Sequence, residues 1–187
     1  VTVAFGWHSI FIILALISTA LLFTVFFFLK ESHTPDPTVS LKLKPIFKAY
    51  STIIREPQFY THVFAGAFAF AGLFIYVASS PMIFMSIYQV TPKTYGWIFA
   101  GLSLGFIGFS QLNIFLLRKF QNDQILRGAL LGQSASVIVF LIGTFFGWYG
   151  ISGTVIHIFI LLACTGLTNP NAASLALAPF KRNTGSA

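Results

Sequence analysis

The stretch TVIHIFILLACTGLTNPNAASLALA, Thr154–Ala178, contains no Asp, Glu, Lys or Arg. A helix rises 1.5 Å per residue, so ~20 apolar residues cross the ~30 Å hydrocarbon core of a bilayer. This run is long enough to span. Its second half gathers Thr165, Thr168, Asn169 and Asn171 around Pro170. Lipid accepts such a helix because its backbone groups are satisfied internally and its side chains face hydrocarbon.

Four further runs share this character: about Ser9–Leu29, Tyr60–Phe84, Gly96–Leu117 and Gly128–Trp148. All 11 Lys and Arg and all 4 Asp and Glu lie outside the five runs. Of the 187 residues, 56% are hydrophobic and 8% are charged. A soluble domain carries roughly 25% charged residues, so this chain could not cover a water-facing surface. The expected fold class is therefore all-α, a polytopic membrane protein with about five transmembrane helices. The 23 Phe residues suit lipid contact and helix packing.

The net charge of +7 would suggest nucleic acid in a soluble protein. Here the basic residues sit in short loops, and membrane topology accounts for them; no nucleic-acid partner is expected. Cys164 is the single cysteine and forms no intramolecular disulfide. The chain starts at Val1, without an initiator methionine, and opens almost at once into an apolar run. It is read as a fragment with sequence missing upstream.

Basic residues alternate along the loops. Lys30, Lys42, Lys44, Lys48 and Arg55 lie in the first, and Lys93 alone in the second. Arg118, Lys119 and Arg127 lie in the third, none in the fourth, and Lys181 and Arg182 in the tail. By the positive-inside rule the first and third loops and the C-terminus are cytoplasmic, and the N-terminus is outside. Trp7, Trp97 and Trp148 all fall at the expected outer ends, where an apolar ring with a polar N–H is favoured. Within the first loop, Leu43, Ile46, Phe47, Tyr50, Ile53 and Ile54 recur at helical spacing. This predicts a short amphipathic helix lying on the membrane surface.

No carboxylate, Lys or Arg lies inside a span, and His157 is taken as the titratable candidate for proton coupling. It sits near the outer end of its helix and reads as an interfacial histidine. Ala65, Ala69, Gly72, Tyr76 and Ser79 share one face of the second span. That face either packs against a neighbouring helix or lines a cavity. The third span carries Gly101, Gly105 and Gly108, and GxxxG spacing recurs at Gly128/Gly132 and Gly143/Gly147. Gln111 and Asn113 are expected to reach interfacial water, and Gln133 either bonds across helices or lines a cavity. Pro170 has no N–H, so it frees the Gly166 carbonyl, and Pro81 follows Ser79 and Ser80 in a similar cluster. Both prolines are expected helix kinks, and interrupted helices beside cavities are a transporter device. His8, His33, His62 and His157 are scattered. No metal cluster, nucleophile with a base, or phosphate loop is visible. No catalytic residue, metal or cofactor is expected, and the chain does not read as an enzyme.

The stretch Asn169-Pro170-Asn171-Ala172-Ala173-Ser174-Leu175-Ala176-Leu177-Ala178-Pro179-Phe180, with Thr184-Gly185-Ser186-Ala187 after it, resembles the tenth-helix region of the Bcr/CflA multidrug transporters, a group within the major facilitator superfamily. Gly6-Trp7-His8-Ser9-Ile10-Phe11 looks like the start of that family's sixth helix. Ala67 to Phe74, then Tyr76 and Ser80-Pro81, looks like its seventh. The resemblance implies helices six to ten of a twelve-helix bundle. Residues 1–29 would be the last helix of the N-terminal half and 30–58 the central cytoplasmic loop. Residues 59–187 would be four helices of the C-terminal half. It departs at Gln121, where the superfamily often has Gly after the aromatic residue of a basic loop motif; Arg118 and Lys119 remain.

The resemblance implies export of small, drug-like molecules across a bacterial inner membrane in exchange for protons, with the coupling acid upstream of Val1. The partners are then the substrate, protons, the lipid bilayer and the missing helices of the parent chain. The alternative is a carrier of the same superfamily for a sugar or amino acid; a membrane enzyme or a non-transporting subunit are further rivals. From face and polarity, the expected cavity wall is Phe70, Phe74, Tyr76, Ser79, Gln133, Asn169 and Asn171.

Overall fold

The computed structural model describes residues 6–29 and 43–180. Every regular element among them is helical: α1 His8–Phe28, α2 Leu43–Ile54, α3 Pro57–Pro81, α4 Pro92–Leu116, α5 Asn122–Phe145 and α6 Ile151–Leu177. A π-helical stretch, Met82–Ile87, continues α3, and a 3₁₀ turn, Ala178–Phe180, ends α6. Five segments are long and apolar enough to cross a membrane: His8–Phe28, Pro57–Ile87, Pro92–Leu116, Asn122–Phe145 and Ile151–Phe180. The five expected spans are thus present, together with the short helix of the first loop. Lys30–Lys42 and Lys181–Ala187, including the tail cations and the Gly185-Ser186-Ala187 run, lie outside the described residues.

Helices α3 to α6 each begin before the apolar run that announces them, because a helix start is set by its first-turn residues rather than by hydropathy. Pro57 and Pro92 occupy first-turn positions, where a missing N–H costs nothing. The Thr91 hydroxyl accepts from the Thr94 N–H at 3.3 Å. α5 begins six residues before the expected Gly128. Gln121 and Gln124 form a capping box, with the Gln121 N–H donating to Gln124 Oε1 at 3.0 Å. Asp123 sits in that first turn, where a negative charge complements the helix dipole, and pairs with Arg127 at 2.9 Å. Both ions are well exposed, so the pair contributes little.

The chain divides into two compact units, residues 1–42 and 43–187. In the first, α1 stacks Phe23 on Phe27, ring centroids 6.0 Å apart. Thr24 Oγ1 returns its proton to the Ala20 carbonyl at 2.9 Å, a local bond that spares the hydroxyl in an apolar setting.

In the second unit, α6 is the hub: α3, α4 and α5 each pack along it. Its buried positions include Ala163, Gly166, Ala172 and Ala176, small residues that let neighbouring backbones approach. A Cβ at Gly166 would overlap the Phe106 carbonyl oxygen of α4 and stand 3.2 Å from the Ser110 nitrogen. Gly105 of α4 accepts the Phe159 ring in the same way, its virtual Cβ 2.7 Å from Cε2. Of the GxxxG glycines, Gly105 and Gly143 make such an approach, and Gly132 stands at an ordinary contact distance, 3.4 Å, from Cys164 Sγ. Gly101 and Gly128 face open space, and Gly147 serves as a turn residue at φ +69°. Tyr76, Phe84, Leu102, Ile158 and Leu162 form the apolar core at the α3–α4–α6 junction.

The two prolines behave differently. α6 runs unbroken through Pro170. At Pro81 the hydrogen-bond register changes instead, and the chain continues as the π-helical stretch. Tyr88 N–H reaches back five residues to the Ile83 carbonyl at 3.1 Å, and Val90 N–H closes on the Phe84 carbonyl at 2.8 Å.

Candidate functional site

The sequence makes α6 apolar on average but spaces hydroxyl and amide groups along its length. Most of these groups bond across to other helices. Near its start, Thr154 Oγ1 meets the Tyr88 hydroxyl at 2.7 Å. At its middle, Thr165 Oγ1 donates to the Leu161 carbonyl at 2.8 Å and lies 3.4 Å from Gln133 Nε2 of α5. Nearly two turns further on, Asn171 Nδ2 donates to Asn113 Oδ1 of α4 at 2.7 Å and to the Leu167 carbonyl at 2.7 Å. Near its end, Ser174 Oγ accepts from Asn122 Nδ2 at 2.7 Å, and the Leu175 carbonyl accepts from Gln58 Nε2 at 3.1 Å. Each interhelical bond of this kind contributes about 0.6 kcal/mol in a membrane, because the separated helices also find partners.

Gln133 is the point where three helices meet. Its Nε2 also donates to the Ala69 carbonyl of α3 at 3.4 Å. Both bonds are long, and Oε1 is buried without a partner. Beside it runs a groove of about 560 Å³ between α3 and α5, lined by Ala65, Phe68, Ala69, Gln133 and Val137 among others. The groove is apolar apart from Gln133 and Ser134. Gln133 brings this groove an amide group and Ser134 a hydroxyl.

A second recess, about 160 Å³, opens between α3 and α6 and places Asn169 with His62 beside Gly66, Ala172 and Ala176. His62 Nδ1 donates to the Gln58 carbonyl at 2.8 Å, which leaves Nε2 as its remaining acceptor. The Cβ of Ala172 would stand 3.1 Å from one at Gly66, and this close approach shapes the crevice.

The residues expected on one cavity wall are distributed over several surfaces. Phe70 and Phe74 meet edge to face at 5.3 Å, with Phe70 against Phe106 of α4 and Phe74 64% exposed. Gln133 lines the α3–α5 groove and Asn169 the α3–α6 crevice. Tyr76 is only 6% exposed, stacked on Phe99 at 5.8 Å with its hydroxyl unpartnered. Asn171 is 1% exposed and occupied with Asn113. Ser79 is half-buried, and its neighbour Ser80 makes the cross-helix bond, to the Tyr95 hydroxyl at 2.9 Å. Arg118 and Lys119 lie in the turn after α4, the Arg118 guanidinium 5.3 Å from the Phe115 ring centroid.

Asn113, expected at interfacial water, is buried, while Gln111 is exposed. The signal that pairs Asn113 with Asn171 is depth: each lies within about two turns of the same end of its span. His62 and Thr165 carry no comparable signal, because a lone polar residue in a helix does not say which neighbour it meets. Among the described residues there is no group of three or more His, Cys, Asp or Glu that could hold a metal. The site's chemistry is hydrogen bonding and apolar contact.

Comparison with known proteins agrees with this picture. The profile of the Major Facilitator Superfamily matches residues 1–187. A bicyclomycin resistance protein homolog of Haemophilus influenzae is 29% identical over 132 residues, 71% of this chain and 33% of that protein. An uncharacterized MFS-type transporter of Bacillus subtilis, YdgK, is 25% identical over 186 residues, 97% of this chain and 45% of that protein. The chain thus spans between a third and a half of these curated relatives. No solved structure matches it significantly.

Proposed function

Because the chain belongs to the Major Facilitator Superfamily, we propose that it is part of a secondary transporter that exports drug-like small molecules in exchange for protons. The observation that carries this is its likeness to a protein named for resistance to bicyclomycin. Export is the property by which a membrane carrier confers resistance. The site chemistry supports a weakly polar cargo: the groove beside Gln133 offers apolar walls, one amide and one hydroxyl, with no charged side chain to select a sugar acid or amino acid.

Alternating access rocks two helical bodies around a central site. α6 suits one such body, since α3, α4 and α5 are each tied to it by hydrogen bonds or close backbone approach. Phe70, Phe74, Gln133 and Asn169 contact cargo in this reading, while Tyr76 and Asn171 hold the helices that carry them. The chain lies in a bacterial inner membrane with the Arg118–Lys119 turn in the cytoplasm and the Trp148 turn outside, as the basic loops favour. Residues 30–58 then link the two halves of the transporter.

The test uses the full-length parent protein in bacteria stripped of their own drug pumps. Bicyclomycin and lipophilic cations should be exported, whereas sugars and amino acids assayed alongside should not. Unchanged drug sensitivity and no drug movement in inverted vesicles would overturn export. Drug movement indifferent to an imposed pH gradient would overturn proton exchange alone.

A further inference from the structure

Between α5 and α6 lies a small cavity, about 60 Å³, lined by Ser136, Val137, Phe140, His157, Ile158 and Leu161. It is separate from the Gln133 groove. Two polar side chains reach it. Ser136 is 9% exposed, and its Oγ is buried with no partner. His157 Nδ1 stands 2.8 Å from the Gly153 carbonyl. A carbonyl only accepts, so Nδ1 carries the proton and Nε2 of the neutral ring is left as an acceptor. The ring is clamped between Phe140 at 5.3 Å and Tyr149 at 4.6 Å. Tyr149 is itself held by its hydroxyl donating to the Val139 carbonyl at 3.3 Å.

We propose that Ser136 and His157 hold a buried water in this cavity. A water needs roughly 10–15 Å³ and two to four polar partners. The cavity has the room, and the Ser136 hydroxyl and the imidazole are the partners. An orphaned hydroxyl in a dry cavity would cost about 1–3 kcal/mol, which the water removes. The water donates to Nε2 of the neutral ring and shares a hydrogen bond with Ser136 Oγ, while Nδ1 donates to the Gly153 carbonyl.

The titratable group that faces the ring is Tyr149. α6 carries no Asp, Glu, Lys or Arg, and on α5 Asp123 and Arg127 pair with each other at the far end. The titratable groups of α3, the π-helical stretch and α4 are Tyr60, His62, Tyr76, Tyr88, Lys93 and Tyr95; none is in hydrogen-bond or ring contact with His157. The site is therefore built from solvation and one carbonyl rather than from a counter-ion, and it holds whether or not transport is proton-driven.

The experiment is nuclear magnetic resonance on the full-length protein in lipid nanodiscs, with labelled histidine and His157→Gln for assignment. The neutral ring should be the Nδ1–H tautomer and should receive magnetisation from water. In Ser136→Val the hydroxyl that anchors the water is lost, and transfer from water to the ring should fall severalfold. Ser136→Thr, which keeps a hydroxyl, should restore it. Ser136→Ala, the change least able to disturb the fold, should move the Nε2 resonance. An Nε2–H tautomer, absent water transfer, or unchanged water transfer in Ser136→Val would overturn the proposal.

Discussion

Asn171 Nδ2 donates to Asn113 Oδ1 at 2.7 Å across the α4–α6 contact, with both residues buried. The same amide donates to the Leu167 carbonyl one turn earlier, so both its protons are used. Asn113→Leu should lower the stability of the full-length protein by about 1 kcal/mol, measured by unfolding in mixed micelles. A double-mutant cycle with Asn171→Leu should return a coupling of roughly 0.6 to 1.7 kcal/mol. Zero coupling would show that the pair forms no bond in the membrane.

The α4–α6 approach depends on Gly166. Gly166→Ala should cost about 1–3 kcal/mol, because the methyl must displace the Phe106 carbonyl of a neighbouring backbone. Gly101→Ala, where a Cβ meets nothing within 4 Å, should be close to neutral or slightly stabilising. Thermal stability of the two variants side by side checks the contrast, and equal losses would refute the packing assignment.

Gln133 joins α3, α5 and α6 and borders the groove. Gln133→Ala in the full-length protein should reduce drug export by about tenfold while leaving its amount in the membrane near normal. One lost hydrogen bond to cargo corresponds to about 1 kcal/mol or more, close to that factor. Ser134→Ala, on the same groove with a weaker acceptor, should reduce export less. Equal export by Gln133→Ala and the parent would remove Gln133 from the cargo path.

Orientation is open to direct labelling once Cys164 is replaced by Ala. Ser152→Cys, at the start of α6, should react with a membrane-impermeant maleimide in intact cells. Gln121→Cys, in the turn before α5, should react only after permeabilisation. The opposite pattern would invert the topology read from Lys93, Arg118, Lys119 and Arg127.

Much of the fold is legible along the chain. The five spans follow from hydropathy, and the α2 helix follows from the spacing of Phe47, Tyr50, Ile53 and Ile54. The ends were less legible: α5 starts at Asn122 because Gln121 and Gln124 cap each other, a signal that an apolar window passes over. The candidate site was legible in residue type but not in placement. Gln133 and Asn169 line recesses, whereas Tyr76 and Asn171, from the same polar stripes, are turned into helix contacts. Gly105 is held against the Phe159 ring and Gly166 against the Phe106 backbone while Gly101 and Gly128 meet nothing, though all four stand in similar small-residue patterns.

By itself the sequence determined the number of spans, their approximate places and the loops where charge collects. These are local properties: ~20 residues must satisfy their own backbone and carry no uncompensated charge through hydrocarbon. Only the tertiary structure decided that α6 is the hub and that Asn113 finds Asn171. It also decided that Gln133 keeps a free oxygen beside a groove. The physical reason is that lipid is as apolar as the helices it surrounds. A membrane helix therefore has no polar side to mark its exterior, and its neighbours are chosen by shape and by a few hydrogen bonds.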